Sequence, residues 1–127
     1  MAHELFMTAY LVDDYDKAID YFVNCLEFTL LEDIKLSEEK RWVVIGAKKG
    51  GAKLLLAKAT GEQAKTIGNQ FGGRVGLFMQ TDDFHGTYSR FKENSVNFVE
   101  EPRNEVYGWV VVFKDLYGQK WDLLEKK

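Results

Sequence analysis

Few residues in this chain have a type and spacing that could carry chemistry, and most of those have a structural reason to be where they are. Asp13-Asp14 and Asp82-Asp83 look like paired carboxylates fit for acid–base work. Each pair, however, stands just ahead of a helical pattern, where a carboxylate accepts from the free N–H groups of the first turn and meets the positive end of the helix dipole. They are read as caps. His85 falls in the first turn of the second of these helices with no cysteine or carboxylate triad fixed beside it, and is read as a surface histidine. Cys25 lies on a buried helical stripe, whereas a nucleophilic thiol needs an accessible, electropositive setting. As the single cysteine it makes no internal disulfide and leaves a thiolate zinc site short of ligands. Gly50-Gly51 and Gly72-Gly73 match no phosphate-binding pattern and are read as turns. Two carboxylates remain: Glu32 among strand apolars, and Asp122 near the end of the chain, where a desolvated carboxylate could act as a base or anchor a donor. Gln80 and Arg103 are weaker candidates of the same kind. Trp42, Trp109, Tyr107 and Phe78 are candidate stacking surfaces, the two tryptophans being weighed toward core packing.

The elements that must position these residues occur twice. Trp42-Val43-Val44-Ile45 followed by Gly51 to Leu56 is echoed by Trp109-Val110-Val111-Val112 followed by Gly118 to Leu123, a numbering difference of 67. Upstream, Val12-Asp13-Asp14-Tyr15 is answered by Thr81-Asp82-Asp83-Phe84, a difference of 69. A fixed period governs the fold reading, and two copies are too few for a solenoid, so they are expected to face each other around a shared cavity. Leu5 to Val12 reads as a strand. Tyr15, Ala18, Ile19, Phe22, Cys25 and Leu26 then recur at helical spacing, and Phe84, Thr87, Tyr88 and Phe91 repeat that stripe. Phe28, Leu30, Ile34 and Leu36 share one strand parity. A hairpin of 41–47 and 52–57 turns at Lys48-Lys49-Gly50-Gly51. The second copy places strands near 96–100, 106–113 and 120–124, with Pro102 after a strand rather than inside one. The expected architecture is an α+β fold of two tandem β-α-β-β-β modules forming a cupped mixed sheet with helices outside. One domain covers 1–127, with module one at about 4–58, a linker at 59–73 and module two at about 74–127. Glu62 to Ile67 in the linker can supply a helical turn.

At 127 residues and 46% hydrophobic, the chain suits one domain whose halves share a body. A net charge of −3 offers no excess for phosphate-backbone binding, so nucleic acid is not an expected partner. Neither a signal-like start nor about 18 consecutive apolar residues is seen, which leads to the expectation of a cytoplasmic protein without membrane association.

The repeated β-α-β-β-β unit, the Val-x-Asp helix opening and the stretch Asp115 to Leu123 with its Asp-x-x-Gly turn together resemble the vicinal oxygen chelate superfamily. That superfamily holds glyoxalase I, extradiol dioxygenases and bleomycin-resistance proteins. Ile67 to Gln70, Thr81 to Phe84 and Glu101-Pro102-Arg103 fit its glyoxalase/bleomycin-resistance-like subgroup. The resemblance implies metal ligands at four positions, which here are Met7, Leu55, Gly76 and Asp122. Only the last could bind a divalent ion, so no resident metal or other cofactor is expected. Strand alternation puts Met7, Ala9 and Leu11 on one face and Gly76, Phe78 and Gln80 on its equivalent, with Leu55 and Asp122 joining them, a lining suited to a small molecule. The leading expectation is a metal-independent binding protein with ligand contacts from Met7, Trp42, Leu55, Phe78, Gln80, Tyr107 and Trp109. The alternative is a metal-dependent lyase or isomerase of the glyoxalase type working through Asp122. The resemblance also implies a homodimer.

Overall fold

Apolar side chains spaced for one helical face and one strand face need a partner surface, and in this chain each helix finds it on the sheet of its own repeat. The computed structural model describes residues 2–127. Two compact units are formed, Met1–Ile67 and Gly68–Lys127. The first contains β1 (Met7–Val12), α1 (Tyr15–Asn24), β2 (Thr29–Lys35), β3 (Arg41–Gly46) and β4 (Lys53–Lys58), followed by a short 3-10 helix, Gly61–Thr66. The second contains β5 (Leu77–Gln80), α2 (Phe84–Glu93), β6 (Asn97–Phe98), β7 (Arg103–Glu105), β8 (Gly108–Lys114) and β9 (Lys120–Lys126). The result is α+β, with one mixed sheet in each unit. The strand orders are β1-β4-β3-β2 and β5-β9-β8-β6, with β7 also pairing β8. In both sheets the first strand runs parallel to the last. Among the described residues no helix is long and apolar enough to cross a membrane.

The helices start where the aspartates put them. Asp14 accepts from the Lys17 N–H at 2.9 Å and Asp83 from the Gly86 N–H at 3.2 Å, each quenching a donor of the first turn. α1 then buries Tyr15, Ala18 and Phe22, with the Phe22 ring edge-on to Tyr10 of β1 at 5.6 Å. Tyr10, Val12, Val43, Ile45 and Leu56 complete that core. α2 buries Phe84, Thr87 and Phe91, and Phe91 meets Phe113 of β8 at 6.1 Å. The Glu125 carboxylate of β9 accepts from the Phe84 N–H at 2.7 Å, which ties the helix start to the same sheet face.

The two units are not superposable at a constant numbering difference, and this corrects the symmetric reading of the tryptophans. Val43 lies opposite Leu56, while Val111 lies opposite Leu123. Leu56 and Leu123 differ by 67 in number, but Val43 and Val111 differ by 68, because the first hairpin holds one residue more. With a side-chain period of two, one residue reverses the face. Trp42 therefore points away from α1, and Trp109 points toward α2, where it stacks on Phe84 at 5.8 Å. The counterpart of Trp109 is Arg41, whose guanidinium lies 5.1 Å over the Tyr15 ring.

Three strand expectations also change. A bulge between Leu30 and Glu32 breaks the parity of β2, so Leu30 pairs with Ile45 and Ile34 with Trp42, on opposite faces. The strand expected over 96–100 shrinks to β6, and the chain resumes as β7 after Pro102. Val106 and Tyr107, expected in the next strand, instead form the two-residue turn between Glu105 and Gly108.

The β8–β9 turn is organised by Asp115, which is 6% exposed. Its carboxylate accepts from the Tyr117 N–H at 2.9 Å, the Gln119 N–H at 3.1 Å and the Trp121 indole at 2.9 Å. Asp115→Ala leaves these donors buried and unanswered, and the expected loss is about 3 kcal/mol in chemical denaturation, against about 1 kcal/mol for removing the exposed cap in Asp83→Ala. Equal losses for the two variants would show that the turn is not held by this carboxylate.

Candidate functional site

Each sheet has one face under its helix and one face away from it, and the candidate residues sort by that division. In unit one the parallel register sets Ala9 opposite Leu55 and Leu11 opposite Ala57, with Met7 two residues earlier on the same helix-distal face. Val44 lies opposite Leu55, and Trp42, opposite Ile34, shares that face. Met7, Leu55 and Trp42 are half-buried, whereas Ile34 and Leu36 are exposed. The Trp42 indole donates to Glu32 at 3.3 Å, so a carboxylate stands at the edge of the aromatic surface. A cleft of about 550 Å³ opens here. Trp42, Leu55 and Ala57 line it together with the turn from Leu36 to Arg41 and with Thr60 and Gln63 of the 3-10 helix. The linker helix thus lines part of the cleft, and the signal for it in the sequence is the length of the 58–73 stretch, which reads as either a functional flap or a partly ordered segment.

In unit two the register sets Phe78 opposite Asp122 and Gln80 opposite Leu124, with Val112 on the other side of Asp122. These side chains share the helix-distal face, and Phe78 is 60% exposed there. Asp122 is half-buried, and among the described residues it has no hydrogen-bond partner. Burial pushes its carboxyl above the ordinary carboxylate range, Arg103 draws it down and Glu100 adds to the rise. Arg103 is itself engaged by Glu100 at 3.0 Å and by Glu105. Glu100 also accepts from the Val112 N–H at 3.0 Å.

The structure therefore gathers Met7, Trp42 and Leu55 on one face of unit one, and Phe78, Gln80 and Asp122 on one face of unit two. Tyr107 sits in the turn beside Arg103. Trp109 does not join them: it lies on the α2 side, with His85 edge-on at 4.8 Å. Cys25 has its thiol pushed up by burial and by Asp20, opposite to what a nucleophile needs.

The four positions that the resemblance marks for metal ligands carry a thioether, an isobutyl group, no side chain and one carboxylate. Their direct register partners are Lys53 beside Met7, Ala9 and Val44 beside Leu55, and Phe78 and Val112 beside Asp122, which add no carboxylate, imidazole or thiolate. At Gly76 the ring of Phe71 lies where a side chain would start. Among the described residues no group of three or more His, Cys, Asp or Glu side chains comes together where it could hold a metal ion. This donor set does not fit a divalent cation. Phe71 escaped the sequence reading, although Gly76, a glycine beside a strand with no turn to explain it, was its signal.

The model of the Glyoxalase/Bleomycin resistance protein/Dioxygenase superfamily matches residues 4–123. An uncharacterized protein of Shewanella frigidimarina (strain NCIMB 400) is 48% identical over 128 residues, covering 98% of this chain and 95% of its own length. Among solved structures, TnmS3, an antibiotic binding protein from Streptomyces sp. CB03234, aligns with a TM-score of 0.80 at 26% identity over 100% of this chain and 99% of its own. UcmS2 aligns at 0.82 and 24% identity over 98% of each chain. With the family match running almost end to end, and the βαβββ order present in unit one and, with its second strand split into β6 and β7, in unit two, the chain belongs to the Glyoxalase/Bleomycin resistance protein/Dioxygenase superfamily.

Proposed function

We propose that this protein binds small, flat, largely apolar molecules on the helix-distal faces of its sheets, without a metal ion. The observation that carries the reading is the cleft of about 550 Å³ in unit one, lined by Trp42, Leu55 and Ala57. Its size falls within the usual range for a small-molecule site, and it combines the apolar surface of Trp42, Leu55 and Ala57 with a polar wall that includes Glu39, Arg41 and Gln63 at the margin of the sheet. An indole tethered by Glu32 offers a flat surface held at one angle. The likeness to TnmS3, an antibiotic binding protein, supports the same class of function. Phe78, Gln80 and Tyr107 belong to the proposed contact set, and Asp122 is the group that would accept from a ligand's donor. Trp109 is left out of it because it packs under α2. Pairing into a homodimer and residence in the cytoplasm are part of this proposal.

A titration with planar aromatics, 2-naphthol first, should quench tryptophan fluorescence saturably. Trp42→Ala is expected to weaken binding about tenfold or more while leaving the unfolding transition cooperative. Undiminished affinity in that variant would remove unit one's cleft from the site.

Metal dependence separates this reading from lyase chemistry. An excess of chelator should change the affinity for 2-naphthol by less than about twofold, and protein challenged with nickel, zinc or manganese should retain less than about a tenth of an ion per chain. Near-stoichiometric metal, accompanied by turnover of a hemithioacetal, would overturn the proposal. Sedimentation at twice the 14.7 kDa of one chain checks the dimer.

A further inference from the structure

We infer that Phe71 is a specificity-determining residue: a built-in ring seated on Gly76, which turns a position used for metal coordination elsewhere in the superfamily into an aromatic contact surface for the flat face of a ligand. The inference rests on the proposed binding function. Gly76 is not there for its conformational freedom, since its backbone is not among those with positive φ. It is there for space. A Cβ at this position would stand 2.7 Å from the Phe71 Cβ and overlap Cγ and Cδ2 of the ring, so only glycine lets the ring lie on the backbone. The Gly76 N–H still donates to the Lys120 carbonyl at 3.3 Å, which holds the floor under the ring in line with β5.

The loop that delivers the ring is fastened on both sides. Gly68, at φ 79°, approaches the Tyr117 carbonyl so closely that any Cβ would overlap the oxygen. Gly72 donates to the Asn69 carbonyl at 3.2 Å, and the Arg74 side chain donates to the Val75 carbonyl at 2.7 Å. The ring is half-buried rather than enclosed, and it lies on the face that also carries the exposed Phe78 and the carboxylate of Asp122. Restoring a ligand side chain at position 76 would require evicting the ring. The surface left in its place offers aromatic carbon with a single carboxylate, which suits a flat aromatic molecule better than a chelating pair of vicinal oxygens.

Two measurements test this separately. In thermal unfolding, Gly76→Ala should lower the midpoint by about 5 °C or more, and the same substitution in a Phe71→Ala background should cost less than about half as much. Equal costs in the two backgrounds, or no cost, would show that the ring is not seated on Gly76 and would overturn the inference whatever the protein binds. In binding, Phe71→Leu keeps apolar bulk but loses the flat ring. It should weaken 2-naphthol about fivefold or more while changing the affinity for the saturated analogue decahydro-2-naphthol by less than about twofold. If Phe71→Leu binds 2-naphthol like the native protein while Trp42→Ala does not, the inference falls and the binding function stands. If the native protein binds neither compound at about 1 mM, both fall.

Discussion

A helix covers one face of each sheet and leaves the other without a helix, and the two-residue period of the strands then decides what every side chain is for. Burying a large apolar side chain is worth about 1.5–3 kcal/mol, so the alternation Tyr10 and Val12 on β1, Val43 and Ile45 on β3 and Leu56 on β4 fixes which way the first sheet faces its helix. Once that face is chosen, Met7, Ala9, Leu55 and Trp42 have no other place to point. In unit two Phe91, Phe113, Trp121 and Leu123 do the same, and Phe78 and Asp122 are turned the other way. The composition of the helix-distal faces follows from packing on the opposite side.

This division explains how one scaffold can serve different chemistries. The helix-facing residues must remain apolar and closely fitted, whereas the helix-distal residues are released from that demand and are free to vary in chemistry. Where a metal enzyme needs convergent donors, this chain presents sulfur, hydrocarbon and a glycine under a phenyl ring. The one carboxylate, Asp122, stands half-buried beside Phe78. Arg103, close enough to act on it, is already committed to Glu100 and Glu105, so its charge is largely spent within its own strand neighbourhood.

Local signals in the sequence were strong where one residue type answered one physical need. Asp14 and Asp83 are caps because each stands directly ahead of its helical stripe, where its carboxylate reaches an N–H of the first turn, and Gly50 and Gly51 adopt the positive φ expected of the hairpin turn. The shared face of Met7, Ala9 and Leu11, and that of Phe78 and Gln80, are legible from alternation, whereas Leu55 and Asp122 join them through the positions that the family resemblance marks. What failed was counting across a hairpin. The shared Trp-Val-Val pattern suggested equivalence, but the longer turn in unit one shifted β3 by one residue against β8 and sent Trp42 and Trp109 to opposite faces. The β2 bulge hid in the same way, since an added residue leaves composition unchanged. Phe71 is marked only indirectly, by the glycine at position 76, because its contact there is set by a loop path that no periodicity encodes.

The break between β6 and β7 has a consequence of its own. An outermost strand normally offers a row of unpaired N–H and carbonyl groups to any chain in extended conformation, which is how folded proteins begin to aggregate. Here that edge is cut into pieces of two and three residues with Pro102 between them, and the Glu100 carboxylate takes the Val112 N–H that an unbroken strand would have held. The corresponding strand of the other sheet, β2, carries a bulge and the charged Glu32, Asp33 and Lys35. Each sheet therefore presents, along this margin, an edge too short or too irregular to template a further strand, so a helix-free face can stay open to solvent without a route to fibrous self-association starting at this margin.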